Sequence, residues 1–141
     1  MDKNISYDEI KHYAMDYHED DYVSILNPDQ TRIGIWTKIR KFAKEAGEEV
    51  IYKVLLLFYA LKFESNKELL TLIYGALGYF IFPYDVIYDY IPVIGFTDDL
   101  IVLNMVLDLV YICDEIKERS LRQLDRWFDL TEDQEQRLIN L

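Results

Sequence analysis

The sequence predicts an all-α protein, a small helical bundle that forms a single domain over residues 1–141. Three observations support this prediction. Apolar residues recur at helical spacing along most of the chain, capping sequences precede several apolar segments, and glycine and proline are scarce, at 5 and 3 residues. With 141 residues, of which 51% are hydrophobic, the chain is long enough to bury one core but short for two.

Four capping sequences mark helix starts. In a capping box, a serine or threonine side chain accepts a hydrogen bond from the backbone amide three residues later, and the side chain there accepts one in return. An asparagine followed by proline is a related start, because proline suits the first helical position. These four sequences are Ser6–Glu9, Asn27–Gln30, Ser65–Glu68 and Thr131–Gln134.

The N-terminal half is predicted to contain three helices. The first covers residues 6–18, and the second begins at Pro28 and carries a basic stretch on its polar faces. Gly47 is expected to end the second helix, because glycine readily leaves helical geometry. A strongly apolar helix follows, from Val50 to Phe63.

Two further apolar helices, Leu69–Phe82 and Leu100–Cys113, are predicted to pack as an antiparallel hairpin at the centre of the bundle. Each is shorter than the roughly 20 apolar residues that a transmembrane helix needs, so a buried position is favoured over a membrane crossing. Gly75 and Gly78 are expected to let another helix approach closely. Cys113 is expected to be a buried, inert thiol.

The connection between these helices is expected to set their ends. Pro83 should stop the first helix. Thr97 should cap the second, with Asp98 and Asp99 in its first turn, where the helix dipole favours negative charge. Beyond it, the C-terminal helical tail over residues 117–141 is charged and amphipathic, and its apolar face comprises Leu121, Leu124, Trp127 and Phe128.

The formal net charge of −11 is unevenly distributed. Residues 68–116 contain eight acidic side chains and no lysine, arginine or histidine, whereas residues 31–67 are net basic. An acidic chain repels phosphate backbones, so we expect no nucleic-acid partner. The single cysteine excludes an internal disulfide, and the N-terminus lacks the features of a signal peptide. We therefore expect a cytoplasmic location, or association with the inner face of a membrane.

A patterned segment joins the two apolar helices. Its residues Pro83, Asp85, Ile87, Asp89, Ile91, Pro92, Gly95, Asp98 and Asp99 follow the order Pro-x-Asp-x-Ile-x-Asp-x-Ile-Pro-x-x-Gly-x-x-Asp-Asp. This segment resembles the YkvA-like family, domain of unknown function 1232, over residues 55–109. Tyr88 stands where that family usually has proline. Because the family is uncharacterised, the resemblance implies a helical hairpin and membrane association but no activity.

Four carboxylates in this segment need hydrogen bonds or neutralisation, because charges in apolar surroundings are costly. One interpretation is structural, with the carboxylates bonded to backbone amides and the connection shaped by Pro83, Pro92, Gly95 and Thr97. A second is a divalent metal site, since Mg²⁺ and Ca²⁺ prefer oxygen ligands. Catalysis is the least favoured, because no lysine, arginine or glycine-rich cradle lies nearby. The carboxylates are Asp85, Asp89, Asp98 and Asp99.

Aromatic residues surround the same connection. They either close the end of the bundle or, where exposed, form an interaction surface for a partner protein, a second copy or lipid headgroups. The sequence therefore favours a non-enzymatic interaction protein or a membrane-peripheral accessory protein, with a metal-binding protein or metal-dependent enzyme as the alternative. The aromatic residues are Phe82, Tyr84, Tyr88, Tyr90 and Phe96.

Overall fold

The computed structural model describes residues 6–11, 28–85 and 94–140. Within these ranges the chain forms helices and no strand, which confirms the all-α prediction. Residues 7–11 are helical, and residues 12–18 of the helix predicted over residues 6–18 lie outside the described residues. The longer helices are α1 (Pro28–Ala46), α2 (Glu48–Ala60), α3 (Lys67–Asp85), α4 (Ile94–Leu107), α5 (Asp114–Phe128) and α6 (Glu132–Ile139).

Helix α2 contacts more of the described helices than any other helix does. It packs against α1, α3, α4 and α5, and α3 also contacts α1 and α4. Full burial of an aliphatic side chain contributes about 1.5–3 kcal/mol, so the apolar sequence of α2 supplies a large share of the core. Residues 86–93, which join α3 to α4, lie outside the described ranges, and the antiparallel hairpin stays a prediction. The buried side chains of α2 are Ile51, Tyr52, Val54, Leu55, Leu56, Leu57 and Ala60.

Two predicted capping boxes are present. The amide of Glu9 donates to Ser6 Oγ at 3.2 Å, and the amide of Ser6 donates to Glu9 Oε1 at 2.9 Å. Thr131 and Gln134 make the same reciprocal pair at 3.2 and 2.8 Å. Pro28 is the first residue of α1, as predicted.

The third predicted capping box, Ser65–Glu68, is wrong by one residue. Asn66 caps α3 instead, because its Oδ1 accepts a hydrogen bond from the amide of Leu69 at 3.0 Å. With the cap at Asn66, Glu68 is only the second helical residue and cannot reach back as a box requires. Its carboxylate instead accepts a hydrogen bond from Lys11 Nζ at 2.9 Å, and this bond raises the pKa of Lys11.

Gly47 separates α1 from α2, as predicted. Its φ of 93° lies in the left-handed region, where a side chain would clash with the backbone. Helix α2 begins at the next residue and ends at Ala60, three residues before the predicted end at Phe63.

Both predicted boundaries around the acidic connection are wrong. Helix α3 continues through Pro83 to Asp85, because a proline near the end of a helix removes one backbone hydrogen bond without forcing the chain out of helical geometry. Helix α4 begins at Ile94, so Thr97 lies within it and its first turn contains no acidic residue. A cap contributes only about 1 kcal/mol, and the packing of the whole helix outweighs that preference.

The second predicted apolar helix, Leu100–Cys113, is also shifted. Helix α4 ends at Leu107, and Cys113 is the extended N-cap residue of α5. Cys113 is half-buried rather than buried. One face of α4 is buried at Val102, Leu103 and Val106, and the opposite face reaches solvent.

Gly75 provides the close approach that the sequence predicted for it. A Cβ atom at this position would overlap the backbone carbonyl of Ile10. Ile10 itself is fully buried. The helical segment at residues 7–11 therefore docks on α3 through the absence of a side chain at position 75, and Lys11 of the same segment forms an ion pair with Glu68 near the start of α3.

Helix α5 has the amphipathic character predicted for the C-terminal tail. Leu124 is buried, and Leu121, Trp127 and Phe128 are half-buried against the core. Ser120 is also fully buried, and its hydroxyl has no hydrogen-bond partner among the described residues.

Candidate functional site

The aspartates that the sequence singled out lie on α3, on α4 and in the connection. Asp85 is the last residue of α3, and Asp98 and Asp99 follow the first turn of α4. Only the backbone is described at these three positions, and Asp89 lies outside the described residues. Within the described ranges, no group of three or more histidine, cysteine or carboxylate side chains could hold a metal ion. A Mg²⁺ or Ca²⁺ site at the four aspartates stays a prediction.

The residues of the predicted aromatic surface also lie partly on α3 and α4 and partly outside the described residues. Phe82 and Tyr84 belong to the last turn of α3, and Phe96 to the first turn of α4, where only the backbone is described. Tyr88 and Tyr90 lie outside the described residues. Of the residues predicted to shape the connection, Pro83, Gly95 and Thr97 are helical and Pro92 lies outside the described residues.

A different apolar surface is visible farther along the chain, and the sequence analysis missed it. Ile101 on α4 is 37% exposed, and Leu109 and Tyr111 in the following turn are 45% and 82% exposed. The signal in the sequence was ambiguous, because this stretch is apolar on most sides and was expected to be buried. The end of α4 at Leu107 turns Leu109 and Tyr111 towards solvent.

The charged residues next to Leu109 and Tyr111 in the sequence are acidic, and Lys53 of α2 donates to Asn104 of α4 at 2.6 Å on the same helix as Ile101. Asp108 lies between α4 and Leu109, and Asp114 and Glu115 begin α5 just after Tyr111; all three are exposed. No lysine, arginine or histidine occurs in this part of the sequence before Lys117. We call Leu109 and Tyr111, which lie two residues apart in the turn after α4, the apolar patch.

A second surface feature is a hollow between α2 and α5, which the sequence analysis also missed. The arginines recur at positions 119, 122 and 126 of α5, and this spacing places them along one side of a helix. Tyr59 comes from α2, far away in sequence, so only the packing of the two helices reveals the hollow. We call it the arginine hollow, and it is lined by Tyr59, Arg119, Arg122, Gln123 and Arg126.

The hollow places cationic groups around a tyrosine hydroxyl. The guanidinium carbon of Arg119 lies 6.0 Å from the centre of the Tyr59 ring, within the range of a cation–π contact. Partial burial raises the pKa of Tyr59, while the positive charges of Arg119 and Arg126 oppose this rise. Tyr59 is therefore neutral near pH 7 and able to donate a hydrogen bond.

A cluster of aromatic rings packs around Tyr59, which lines the hollow. The Trp36 ring lies 5.1 Å from Phe58, 6.0 Å from Tyr59 and 5.2 Å from Trp127, measured between ring centres. Tilted aromatic pairs at these distances add roughly 0.5–1.5 kcal/mol each beyond their buried area. The cluster joins α1, α2 and α5, and it holds Tyr59 in place against α5.

Comparison with known proteins found a family match for the segment that contains the acidic connection. The match does not include the helices that line the arginine hollow. Residues 69–105 match the family described as a protein of unknown function, DUF1232. This segment is DUF1232-like. The match confirms the resemblance stated above, and it covers most of α3 and most of α4, about a quarter of the chain.

The other comparisons add no relative. No match was found among the curated proteins or among the solved structures. Within the described ranges, none of the helices combines the length and the apolarity that a membrane crossing requires. The segment over residues 69–105 is thus similar to a family of unknown function, and α2 and α5, which line the arginine hollow, lie outside it.

Proposed function

We propose that this protein is a non-enzymatic accessory protein that binds another protein through the apolar patch. The observation that carries the proposal is the exposure of the patch, above all the 82% exposure of Tyr111. Large apolar side chains that stay in solvent cost free energy unless a partner covers them. Tyrosine is also among the residues enriched at protein interfaces.

The charge beside the patch favours one kind of partner. Asp108, Asp114 and Glu115 are exposed around Leu109 and Tyr111, and complementary potentials steer partners together. An anionic membrane surface would be repelled by these carboxylates. The partner that fits is a protein with an apolar surface, such as the apolar face of a helix, bordered by lysine or arginine. A cytoplasmic setting belongs to this proposal and suits a chain with one cysteine.

A peptide-binding experiment tests this proposal. The probes are two synthetic amphipathic helices with the same leucine face, one with lysine and one with glutamate on the polar face. We expect the purified protein to bind the leucine–lysine peptide in a fluorescence anisotropy titration and to bind the leucine–glutamate peptide much more weakly. The double variant Leu109→Ser/Tyr111→Ser should lose most of this binding.

The matched control is Ile33→Ser, which removes an apolar side chain that is 63% exposed on α1. It should bind the peptide as the wild type does. Equal loss in both variants would show that the patch is not the binding surface.

Light scattering and flotation with phosphatidylglycerol vesicles complete the test. A dimer, or vesicle binding, that the Leu109→Ser/Tyr111→Ser variant abolishes would replace the protein partner with a second copy or a membrane.

A further inference from the structure

The arginine hollow differs from the apolar patch in the chemistry of its lining. Each of its five side chains carries a hydrogen-bond donor, and none is a carboxylate. Guanidinium groups donate only, while the amide of Gln123 and the hydroxyl of Tyr59 can donate as well. Within the described residues, no group forms a hydrogen bond with the Tyr59 hydroxyl. A cluster of donors that face solvent without acceptors suits an anionic ligand.

Only one of the three arginines is neutralised by a carboxylate of the described chain. Arg119 Nε lies 3.6 Å from Glu115 Oε2. Neither Arg122 nor Arg126 forms an ion pair with any described residue. Two guanidinium groups at the hollow therefore have no ion-pair partner among the described residues.

Carboxylates also lie on the other side of Arg122. Arg122 also borders a neighbouring depression lined by Glu118, Asp125 and Glu135. The Arg122 guanidinium makes no ion pair with these three carboxylates. The Asp125 carboxylate accepts a hydrogen bond from the Leu130 amide at 2.8 Å. These acids weaken the field at Arg122, but none of them lines the arginine hollow itself.

We propose that the arginine hollow binds a phosphate monoester. The guanidinium groups of Arg122 and Arg126, which have no ion-pair partner among the described residues, suit the charge of a phosphate monoester near neutral pH, which approaches −2. Planar guanidinium forks bind phosphate oxygens through paired hydrogen bonds. Tyr59 and Gln123 supply neutral donors for the remaining oxygens. This proposal does not depend on the apolar patch.

The same phosphate chemistry occurs in small soluble molecules and in the headgroup of phosphatidic acid. Two arms of one experiment separate these sources. In the first, glycerol 3-phosphate is titrated into the ¹⁵N-labelled full chain, and chemical shifts of the arginine side chains and of α5 are followed. In the second, flotation compares vesicles of phosphatidylcholine alone with vesicles that also contain phosphatidic acid.

We expect glycerol 3-phosphate, phosphatidic acid vesicles or both to bind, and the hollow variants to weaken that binding. Arg126→Gln should raise the dissociation constant roughly tenfold, since a hydrogen bond to a charged group contributes about this much. Tyr59→Phe should weaken binding by a few-fold while it keeps the aromatic ring in place. Sulfate should compete, and added NaCl should weaken binding.

The matched control is Arg137→Gln, which removes the same charge from the exposed face of α6 outside the hollow. Circular dichroism first establishes that each variant is folded. Equal weakening by Arg126→Gln and Arg137→Gln would overturn the proposal in favour of general charge attraction, and so would the absence of binding to either probe. Loss of peptide binding in the Leu109→Ser/Tyr111→Ser variant with phosphate binding intact would separate this site from the proposed protein surface.

Discussion

The DUF1232-like segment and the face formed by α2 and α5 differ in their basic side chains. Residues 69–105 carry no basic side chain, and their described side chains on α3 and α4 mostly pack into the core. The outer side of α5 instead displays three arginines around Tyr59. The part of the chain that resembles a family thus supplies packing, while the arginines of the hollow lie outside that part. Substitutions should therefore affect stability most in the first region and binding most in the second.

The largest effect is expected from the core of the DUF1232-like segment. Phe80→Ala removes a fully buried ring of α3 and should lower the free energy of unfolding by about 3–5 kcal/mol, because a cavity is left in close-packed surroundings. Urea denaturation measures the change. Phe63→Ala is the control, since Phe63 is half-exposed. A similar loss in both variants would contradict the assignment of the core to α3.

The next effect concerns the docking of the helical residues 7–11 on α3. Gly75→Ala places a Cβ atom against the carbonyl of Ile10, and the resulting overpacking should destabilise the protein by about 1–3 kcal/mol. Hydrogen exchange should show faster exchange at the amide of Ile10, which donates to Ser6. Lys11→Ala removes only the adjacent exposed ion pair, so it should leave this amide protected. If both variants behave alike, the close backbone approach is not what holds residues 7–11 on α3.

A smaller effect of opposite sign is expected at the contact between α5 and the core. Ser120→Ala removes a buried hydroxyl that has no partner within the described chain, and it should raise the free energy of unfolding by about 1 kcal/mol. Thermal unfolding by circular dichroism would detect this as a higher melting temperature. Ser65→Ala is the control, because Ser65 is exposed and does not cap α3. An unchanged or lower melting temperature for Ser120→Ala would mean that its hydroxyl is satisfied after all.

The smallest effect is a change of stability with pH. Burial raises the pKa of Tyr52 and of Tyr59 above the ordinary value of 10.0. The unfolded chain therefore loses these protons first, and stability should fall as the pH rises from about 10 towards the higher folded values. Urea midpoints at pH 8, 9, 10 and 11 test this. Tyr52→Phe should flatten the alkaline part of the curve, whereas Tyr111→Phe, at an exposed tyrosine, should leave it unchanged.

The local signals in the sequence predicted the helices better than their ends. The capping boxes at Ser6 and Thr131 and the break at Gly47 were right, because each depends on contacts within four residues. The boundaries at Pro83 and Thr97 were wrong, because a cap or a proline changes the energy of one end by little compared with the packing of a whole helix. The exposed turn at Leu109 and Tyr111 was missed for the same reason.

The order of apolar and polar residues determined that this chain is helical, that α5 is amphipathic and that Gly75 faces a neighbour, since these properties follow from the helical period and from the size of single side chains. Only the tertiary structure decided which helices surround α2 and which apolar residues remain exposed to solvent. It also decided that Tyr59 lines a hollow with the arginines of α5. Contacts between distant residues depend on how whole helices pack, and the helical period of one segment carries no information about the identity of its neighbour.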